Sequence, residues 1–289
     1  MSIRPINWRN WQAVQLKQAL RQGIEKLTHT DSPLLDAQLL LAHVLGKSRS
    51  YLMTWPEEEL SPALEKQYQA LLEARHEGQP IAYLTGRREF WDFELLITPA
   101  VLIPRPETEL LVELSLQKIS LEQARVADLG TGSGAIALAL ARSRPAWRVI
   151  ATDISLEALA LARLNAEKLG LNEVAFRQGG WCEALMTDEK FDAIVANPPY
   201  IDAEDKHLQR GDVRFEPRSA LVAEAQGLAD LRQIVQQARE RLKPGGLLLL
   251  EHGYQQAAAV KKLFLEYGYN TPETHQDLAG LDRVSLARL

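Results

Sequence analysis

In Val126-Ala127-Asp128-Leu129-Gly130-Thr131-Gly132-Ser133-Gly134, an apolar strand-like run opens into a glycine-rich loop. A helical pattern begins directly after it, at Ala135. Glycines at such a strand-to-helix turn let the backbone approach a ligand closely. The stretch therefore predicts a ligand-binding turn in a domain that alternates strands with helices.

Strand-like and helical patterns alternate on both sides of this turn. The runs that read as strands are 125–129, 148–153, 174–178, 191–196 and 246–251, and the main helical patterns are 135–143, 156–169 and 228–242. This alternation predicts a mostly parallel sheet covered by helices on both faces. Residues 267–289 contain two more strand-like runs without a clear helix between them, which predicts an antiparallel pair at the edge of the sheet.

The first part of the chain, from Trp8 to about Gly78, has a helical pattern. Ser32-Pro33 and Ser61-Pro62 each place a capping hydroxyl before a proline at the first helical position. The first of these helices is predicted to end at Gly46 and to bury one face; the residues of that face are Leu35, Leu39, Ala42 and Leu45. We expect a small helical domain over residues 1–85, a β-hairpin and linker over 86–104, and the α/β domain over 105–289.

Composition narrows the class of protein. The 289 residues suit two domains, and the net charge of −5 with a pI near 5.8 argues against binding nucleic acid mainly through its phosphates, although a local basic patch stays open. Cys182, the only cysteine, is interpreted as a small buried residue, and the six histidines lack zinc-type spacing, so no metal site is expected. Neither a signal-type segment nor a stretch of bilayer length occurs, which predicts a cytoplasmic protein without a membrane partner.

An acidic residue, Asp153, ends the strand that follows the glycine loop. It lies at about the separation at which a carboxylate meets the two hydroxyls of a ribose, so loop and carboxylate together predict a cofactor that carries adenosine. Two alternatives stay open: Asp153 caps the next helix, or the loop serves a nicotinamide dehydrogenase. Asp128, just before the loop, can meet the ammonium group of S-adenosylmethionine, which favours that cofactor.

The tetrapeptide Asn197-Pro198-Pro199-Tyr200 follows the strand-like run 191–196. Because prolines lack a backbone NH, this turn is rich in hydrogen-bond acceptors. The Asn197 side-chain oxygen and the Pro198 carbonyl can each accept one hydrogen of a planar amide or amine, and the Tyr200 ring can cover its flat face. Alone, the tetrapeptide is also typical of a strand terminator. Together with the glycine loop it predicts group transfer to a nitrogen.

These residues resemble the PrmC/HemK family, the protein-(glutamine-N5) methyltransferases of peptide chain release factors. The resemblance covers nearly the whole chain. Its motifs are Gly86-Arg87-Arg88-Glu89-Phe90-Trp91, Leu102-Ile103-Pro104-Arg105-Pro106-Glu107-Thr108-Glu109, the glycine loop, Asn197-Pro198-Pro199-Tyr200 and Gly211-Asp212-Val213-Arg214-Phe215-Glu216-Pro217.

The resemblance implies a Rossmann-like, seven-stranded S-adenosylmethionine-dependent methyltransferase domain after a small helical bundle. It implies that the acceptor is the glutamine of a Gly-Gly-Gln motif and that the front helices dock the release factor. The residues implied at the cofactor are Gly130, Thr131, Gly132, Ser133 and Gly134 at its methionine part, Asp153 at the ribose, Trp181 at the adenine, and Asn197. Asn197, Pro198, Pro199 and Tyr200 are implied at the glutamine amide, with Asn197, Pro198 and Tyr200 as the catalytic group.

One departure from the family pattern concerns Gly180, where members usually carry an acidic residue. For Trp181, core packing is the alternative to a cofactor contact. A DNA or RNA amino-methyltransferase with the same amide clamp is the nearest rival function, and a catalytically silent binding module is a second. We expect a monomer that does not bind nucleic acid directly.

Overall fold

The structure is a computed structural model that describes residues 14–289. It divides the chain into two compact units, with the division between Thr85 and Gly86. The part of the predicted helical pattern that begins at Trp8 and precedes Val14 lies outside the described residues. Among residues 14–289, no helix is both long enough and apolar enough to cross a bilayer.

The front unit is a helical bundle with one short pair of strands. Its elements are β1 (Val14–Gln15), α1 (Leu16–Lys26), α2 (Pro33–Leu45), α3 (Arg49–Thr54), β2 (Glu59–Leu60), α4 (Pro62–His76) and α5 (Ile81–Thr85). The predicted face of α2 is only partly buried: Ala42 is buried, but Leu35 is 37% exposed, whereas Ala37, Leu40 and Leu41, which lie outside that face, are fully buried. The helix is apolar on most sides and packs against α1, α4 and α5, so residue spacing alone does not select its buried face.

One of the two predicted serine caps is present. The Ser61 hydroxyl accepts a hydrogen bond from the backbone NH of Leu64, as expected of an N-cap. The prediction for Ser32 is wrong, since its hydroxyl donates instead to the Asp36 carboxylate, which in turn accepts from Arg75 at 2.8 Å. This ion pair links the first turn of α2 to α4. The helix ends at Gly46 in the left-handed conformation, as predicted.

The second unit contains a seven-stranded sheet flanked by helices. Its elements are β3 (Arg87–Phe90), β4 (Phe93–Leu96), α6 (Glu109–Lys118), β5 (Arg125–Leu129), α7 (Ala135–Ser143), β6 (Arg148–Asp153), α8 (Leu156–Leu169), β7 (Ala175–Gln178), β8 (Phe191–Ala196), α9 (Glu224–Gly227), α10 (Ala229–Ala238), β9 (Leu242–Glu251), α11 (Ala257–Glu266), β10 (Asn270–Gln276) and β11 (Asp282–Arg288). The strand order is β10-β11-β9-β8-β5-β6-β7. Strands β5 to β9 are mutually parallel, and β11 runs antiparallel to both of its neighbours, β9 and β10. The predicted parallel sheet with an antiparallel edge pair is confirmed.

The boundary between α10 and β9 differs from the prediction. The helix ends at Ala238, and β9 begins at Leu242, where a helix was expected to end. The signals Pro244-Gly245-Gly246 suggest a turn, yet the Gly245 NH donates to the Leu289 carbonyl. Pairing with the last residue of the chain, a contact far away in the sequence, therefore extends this strand.

The register of the sheet aligns the carboxyl ends of four neighbouring strands. Leu129, the last residue of β5, pairs with Thr152 on one side and Ala196 on the other, and Ala196 pairs with Leu250. The residues that come next on these strands are Asp153, Gly130, Asn197 and Glu251. Chain order reverses between β5 and β8, so this line crosses the switch point at which open α/β sheets bind ligands.

Candidate active site

A cavity of about 360 Å³ lies beyond these strand ends. Its walls come from the glycine loop, from Asp153 and the two residues after it, from the Gly179–Trp181 turn, and from Asn197 and Pro199. The segment before α6 closes another side, with residues such as Val101, Pro104 and Thr108. All of these residues belong to the second unit, and the volume is in the range of a small-molecule site.

The glycine loop forms the floor of this cavity. Gly130, Gly132 and Gly134 have φ angles of 72°, 56° and 89°, in the left-handed region that glycine adopts without steric strain. The Thr152 carbonyl accepts from the NH groups of both Gly130 and Thr131. Gly130 to Ser133 line the cavity, whereas Gly134 lies at the start of α7.

Asp153 braces the loop from the neighbouring strand. One of its carboxylate oxygens accepts from the Gly132 NH at 2.9 Å and the other from the Ser155 NH at 2.9 Å. The N-cap of α8 is Ser155, whose hydroxyl accepts from the Ala158 NH. The alternative in which Asp153 only caps the helix is therefore wrong. A carboxylate has about four acceptor positions, so two remain for a ligand.

Asp128 lies behind the loop and not in the cavity wall. It is fully buried, and one of its oxygens accepts from the Thr131 hydroxyl at 2.6 Å and from the Ala137 NH at 3.1 Å. Its other oxygen has no hydrogen-bond partner among residues 14–289. Burial raises the pKa of Asp128 to about 7, and hydrogen bonds from Thr131 and Ala137 oppose that shift.

Trp181 packs against the core and also lines the cavity, so the core packing is confirmed and the cofactor contact stays a prediction. Its ring covers Gly130, where an added Cβ would lie 3.0 Å from the ring atom Cζ3. The Asp230 carboxylate, which lines the cavity too, lies near the Trp181 side chain. Position 130 therefore requires a residue without a side chain, so that the indole ring of Trp181 can lie on the loop.

Gly180 contributes backbone to the cavity in place of an acidic side chain. A Cβ at this position would lie 3.5 Å from Oε2 of Glu183. A carboxylate thus lies near the position at which members of the resembled family usually carry one. The neighbouring Cys182 is buried, and burial raises the pKa of its thiol to about 12, as expected for a packed residue and not for a nucleophile.

The tetrapeptide after β8 presents two unused acceptors. The Asn197 side-chain nitrogen donates to the Thr108 hydroxyl at 3.1 Å, which leaves its oxygen free. Within the described part of the chain, no residue donates to that oxygen or to the Pro198 carbonyl. Pro199 lines the cavity beside Asn197, while the Tyr200 ring packs against the core and its hydroxyl donates to Glu251 at 3.2 Å.

Four residues of this region were not predicted as site residues: Thr108, Glu216, Asp230 and Glu251. Glu216 is 4% exposed and accepts from the Ile103 NH at 3.1 Å and from Arg105, so it ties the segment before α6 to the stretch 211–217. Glu251 ends β9 as Asp153 ends β6. Open α/β sheets bind ligands at the carboxyl ends of their strands, so its position at a strand end was a signal available in the sequence. Thr108 and Asp230 carry no such local signal.

Two protein families match this chain, one over each of its two units. Residues 18–86 match the PrmC N-terminal domain family, and residues 120–283 match a methyltransferase domain family. The chain is 51% identical over 269 residues to the release factor glutamine methyltransferase of Salmonella typhimurium, covering 93% of this chain and 97% of that protein. It is 49% identical over 278 residues to the release factor glutamine methyltransferase of Aliivibrio fischeri, covering 96% of this chain and 98% of that protein.

The chain belongs to the release factor glutamine methyltransferase family. This confirms the resemblance found in the sequence and the assignment as an S-adenosylmethionine-dependent methyltransferase. The Rossmann-like fold is confirmed by a solved methyltransferase from Pyrococcus furiosus, which is 20% identical with a TM-score of 0.51 over 76% of this chain and 96% of that one.

Proposed function

We propose that this protein transfers the methyl group of S-adenosylmethionine to the side-chain amide nitrogen of the glutamine in the Gly-Gly-Gln motif of peptide chain release factors. The observation that carries the proposal is the pair of unpaired acceptors at Asn197 and Pro198, beside the glycine-loop cavity. A primary amide offers two N–H donors, which matches these two acceptors. The reaction would take place in the cytoplasm, and one chain supplies every wall of the cavity.

The cavity suits S-adenosylmethionine by its chemistry. Ile154 is 72% exposed and lines the cavity together with Trp181, which supplies apolar surface for a flat adenine. Asp153 retains acceptor positions for two ribose hydroxyls, and the loop lets the methionine part approach the backbone. In its ionised form, Asp128 would favour a cationic group above the loop. When bound, S-adenosylmethionine supplies a methyl group activated by a positively charged sulfur.

The task of the protein is to make an amide nitrogen reactive and to hold it in line. An amide nitrogen is a poor nucleophile because its lone pair is shared with the carbonyl. Two acceptors that hold its hydrogens favour a more pyramidal, electron-rich nitrogen, and the proton leaves as the new bond forms or afterwards. Catalysis then comes mainly from positioning and electrostatics, which can be worth several orders of magnitude in rate.

A transfer assay with labelled S-adenosylmethionine tests this function. A release factor, the same factor with glutamine of Gly-Gly-Gln replaced by glutamate, and structured RNA or duplex DNA are offered separately. We expect methylation of the first substrate alone, with mass spectrometry locating one methyl group on the glutamine side chain. Methylated nucleic acid with an unmodified release factor would instead support the rival amino-methyltransferase function.

Asp153→Ala tests the cofactor half of the site. The substitution removes a carboxylate from the ribose position and also the acceptor of the Gly132 NH. We expect the affinity for S-adenosylmethionine to fall by about 1.5–3 kcal/mol, the usual value of a charge-assisted hydrogen bond. Asp153→Asn keeps an acceptor but loses the charge, so its affinity for S-adenosylmethionine should lie between those of the wild type and the alanine variant. Isothermal titration calorimetry measures both, and an unchanged dissociation constant for the alanine variant removes Asp153 from the site.

The front unit is proposed to hold the release factor. Supporting this, the match to the PrmC N-terminal domain family covers that unit, and three of its large apolar side chains are more than half exposed: Leu34 at 51%, Met53 at 68% and Trp55 at 57%. Exposed apolar side chains that lie together are typical of surfaces that bind a protein, and these three would supply such contacts.

Trp55→Ala tests this docking role. Because the lost contact would be to the protein substrate, we expect a several-fold higher KM for the release factor with an unchanged dissociation constant for S-adenosylmethionine. Leu278→Ala in the second unit is the matched control, since Leu278 is also apolar and is fully exposed. Steady-state kinetics at varied release factor concentration measures the effect. Equal KM values for the two variants would argue against this surface.

A further inference from the structure

A buried ion pair joins two segments of the cavity wall that are far apart in the sequence. Glu216 has a fully buried carboxylate, which accepts a hydrogen bond from the Ile103 NH at 3.1 Å and another from the Arg105 guanidinium. Residues close to the two partners line the cavity, namely Leu102, Pro104, Ser219 and Ala220. The pair therefore fastens two walls of the cavity to each other.

From Arg105, hydrogen bonds lead to Asn197. The Thr108 NH donates to the Arg105 carbonyl at 3.1 Å, in a single 3₁₀ turn that spans Pro106–Thr108. The Thr108 hydroxyl then accepts from the Asn197 side-chain nitrogen at 3.1 Å. The Asn197 carboxamide is thus held at its nitrogen by a residue whose place depends on Arg105, and its oxygen is left to accept from the substrate.

From Glu216, the chain returns to the residue that follows the tetrapeptide. A second 3₁₀ turn, Arg218–Ala220, leads from Glu216 to the segment that meets Ile201. The Ile201 NH donates to the Leu221 carbonyl at 2.9 Å, and the Ile201 carbonyl accepts from the Ala223 NH at 3.0 Å. Both partners of the ion pair are therefore connected by hydrogen bonds to the turn after β8, from its two sides.

The energetics of a buried ion pair indicate what this one contributes. Removing two charges from water is unfavourable, and their attraction only roughly offsets it, so such a pair is weak evidence for stability. It restricts geometry instead, because a planar guanidinium and a carboxylate fit each other in few arrangements. Catalysis needs this restriction, since a displacement of about 1 Å in the reacting geometry can lower a rate roughly 100-fold.

We propose that Glu216 is a positioning residue for glutamine methylation: paired with Arg105, it closes a ring of hydrogen bonds around the turn after β8 and so holds the Asn197 oxygen where it can accept from the substrate amide. Glu216 itself does not line the cavity. This inference rests on the proposed function of Asn197. It adds the group that fixes the position of that acceptor.

Glu189 offers a matched control within the same unit. Its buried carboxylate also accepts from a backbone NH, that of Met186 at 3.0 Å, and from arginine side chains, those of Arg125 and Arg177. Neither Glu189 nor these partners belong to the cavity wall that residues 14–289 form. Glu189→Gln therefore removes the same kind of ion pair at a place on which the amide-binding turn does not depend.

Steady-state methyl transfer to the release factor separates the two variants. Glu216→Gln should lower kcat roughly 10- to 100-fold. Its KM for the release factor should be unchanged, because the substitution disturbs the amide-binding turn and not the front unit. Glu189→Gln should lower the urea midpoint of unfolding by a similar amount but keep the wild-type kcat at a temperature well below both unfolding transitions.

Substitutions of the partner test whether the two residues act as one unit. Arg105→Met loses the donor to Glu216 and should lower kcat as Glu216→Gln does, whereas Arg105→Lys retains a charged donor and should keep more activity. Since both changes break the same ring, the double variant Glu216→Gln with Arg105→Met should be no slower than the worse single variant.

Hydrogen exchange of the protein without cofactor or substrate gives a readout that is independent of turnover. In Glu216→Gln, the backbone amides of Ile103 and Thr108 should exchange faster, and so should those of Ile201 and Ala223 on the other side of the ring. Glu189→Gln should leave the exchange of all four amides unchanged. A role confined to the segment before α6 would change the first two amides alone.

Four results would overturn the inference while Asn197→Ala remains inactive and the proposed function stands. They are a wild-type kcat in Glu216→Gln or Arg105→Met, an equal loss of kcat in Glu189→Gln, multiplicative losses in the double variant, and exchange that is unchanged at Ile201 and Ala223. A wild-type protein that leaves release factors unmodified would overturn the proposed function instead. The exchange experiment would then still decide whether Glu216 holds the turn.

Discussion

Asn197→Ala should reduce methyl transfer to the release factor by roughly 100- to 1,000-fold or more while S-adenosylmethionine still binds. The reason is that the variant loses the side-chain oxygen that takes one amide hydrogen, so the nitrogen is neither oriented nor made electron-rich. Removing one hydrogen-bonding group that acts in the transition state typically costs 100- to 1,000-fold in kcat. Single-turnover transfer of labelled methyl to the release factor, with cofactor affinity measured in parallel, checks both parts.

Asn172→Ala is the control for this experiment, because Asn172 is exposed after α8 and lies in none of the cavity walls. It should turn over like the wild type. Turnover near normal in Asn197→Ala would show that the amide is held elsewhere. A loss of cofactor affinity as large as the loss of turnover would instead assign Asn197 to the cofactor half of the site.

The strand ends of the active site could be predicted because they depend on short stretches of sequence. Buried parallel strands are continuous apolar runs, and the residue that follows each run is therefore visible, as at Gly130, Asp153 and Asn197. The bounds of β5, β6 and β8 agree with the predictions residue by residue. The same pattern places Glu251 at the end of β9.

Other features could not be predicted because they depend on contacts between residues far apart in the sequence. Thr108 reaches Asn197 across 89 positions, and Glu216 reaches Ile103 across 113. The carboxylate of Asp128 was expected to face the cofactor, but the structure turns it toward Thr131 and the start of α7. The direction of a side chain at the end of a strand depends on what packs around it, which local sequence does not record.

Left-handed backbone between residues 225 and 227 packs against the turn after β8. Ala225 and Gln226 have φ angles of 53° and 59°, in a region that side chains other than glycine seldom occupy, and Gly227 follows at 78°. The Gln256 side chain donates to the carbonyls of both Gln226 and Tyr200 at 3.1 Å. Backbone strain of this kind persists only where the surroundings enforce it, often at functional sites.

Gly227→Ala should therefore both destabilise the protein and impair catalysis. An added Cβ would lie 2.1 Å from the Tyr200 carbonyl oxygen and 2.7 Å from the Gln256 side-chain nitrogen. The obstacle is largely backbone, so the turn that carries Asn197 and Tyr200 has to move. We expect a loss of about 2–5 kcal/mol in the free energy of unfolding, the sum of about 1–2 for a left-handed alanine and about 1–3 for overpacking.

Gly245→Ala separates these two contributions. Gly245 has almost the same φ angle, 75°, but an added Cβ there meets no atom within 4 Å. This variant should lose only the left-handed penalty, about 1–2 kcal/mol, and should keep its kcat because the turn after β8 is not displaced. Urea unfolding gives the two stabilities, and transfer assays well below the melting temperature give the two rates. Equal stabilities and equal rates for the two variants would mean that the Tyr200 carbonyl can move aside without cost. The close packing of Gly227 would then have no part in holding the glutamine amide.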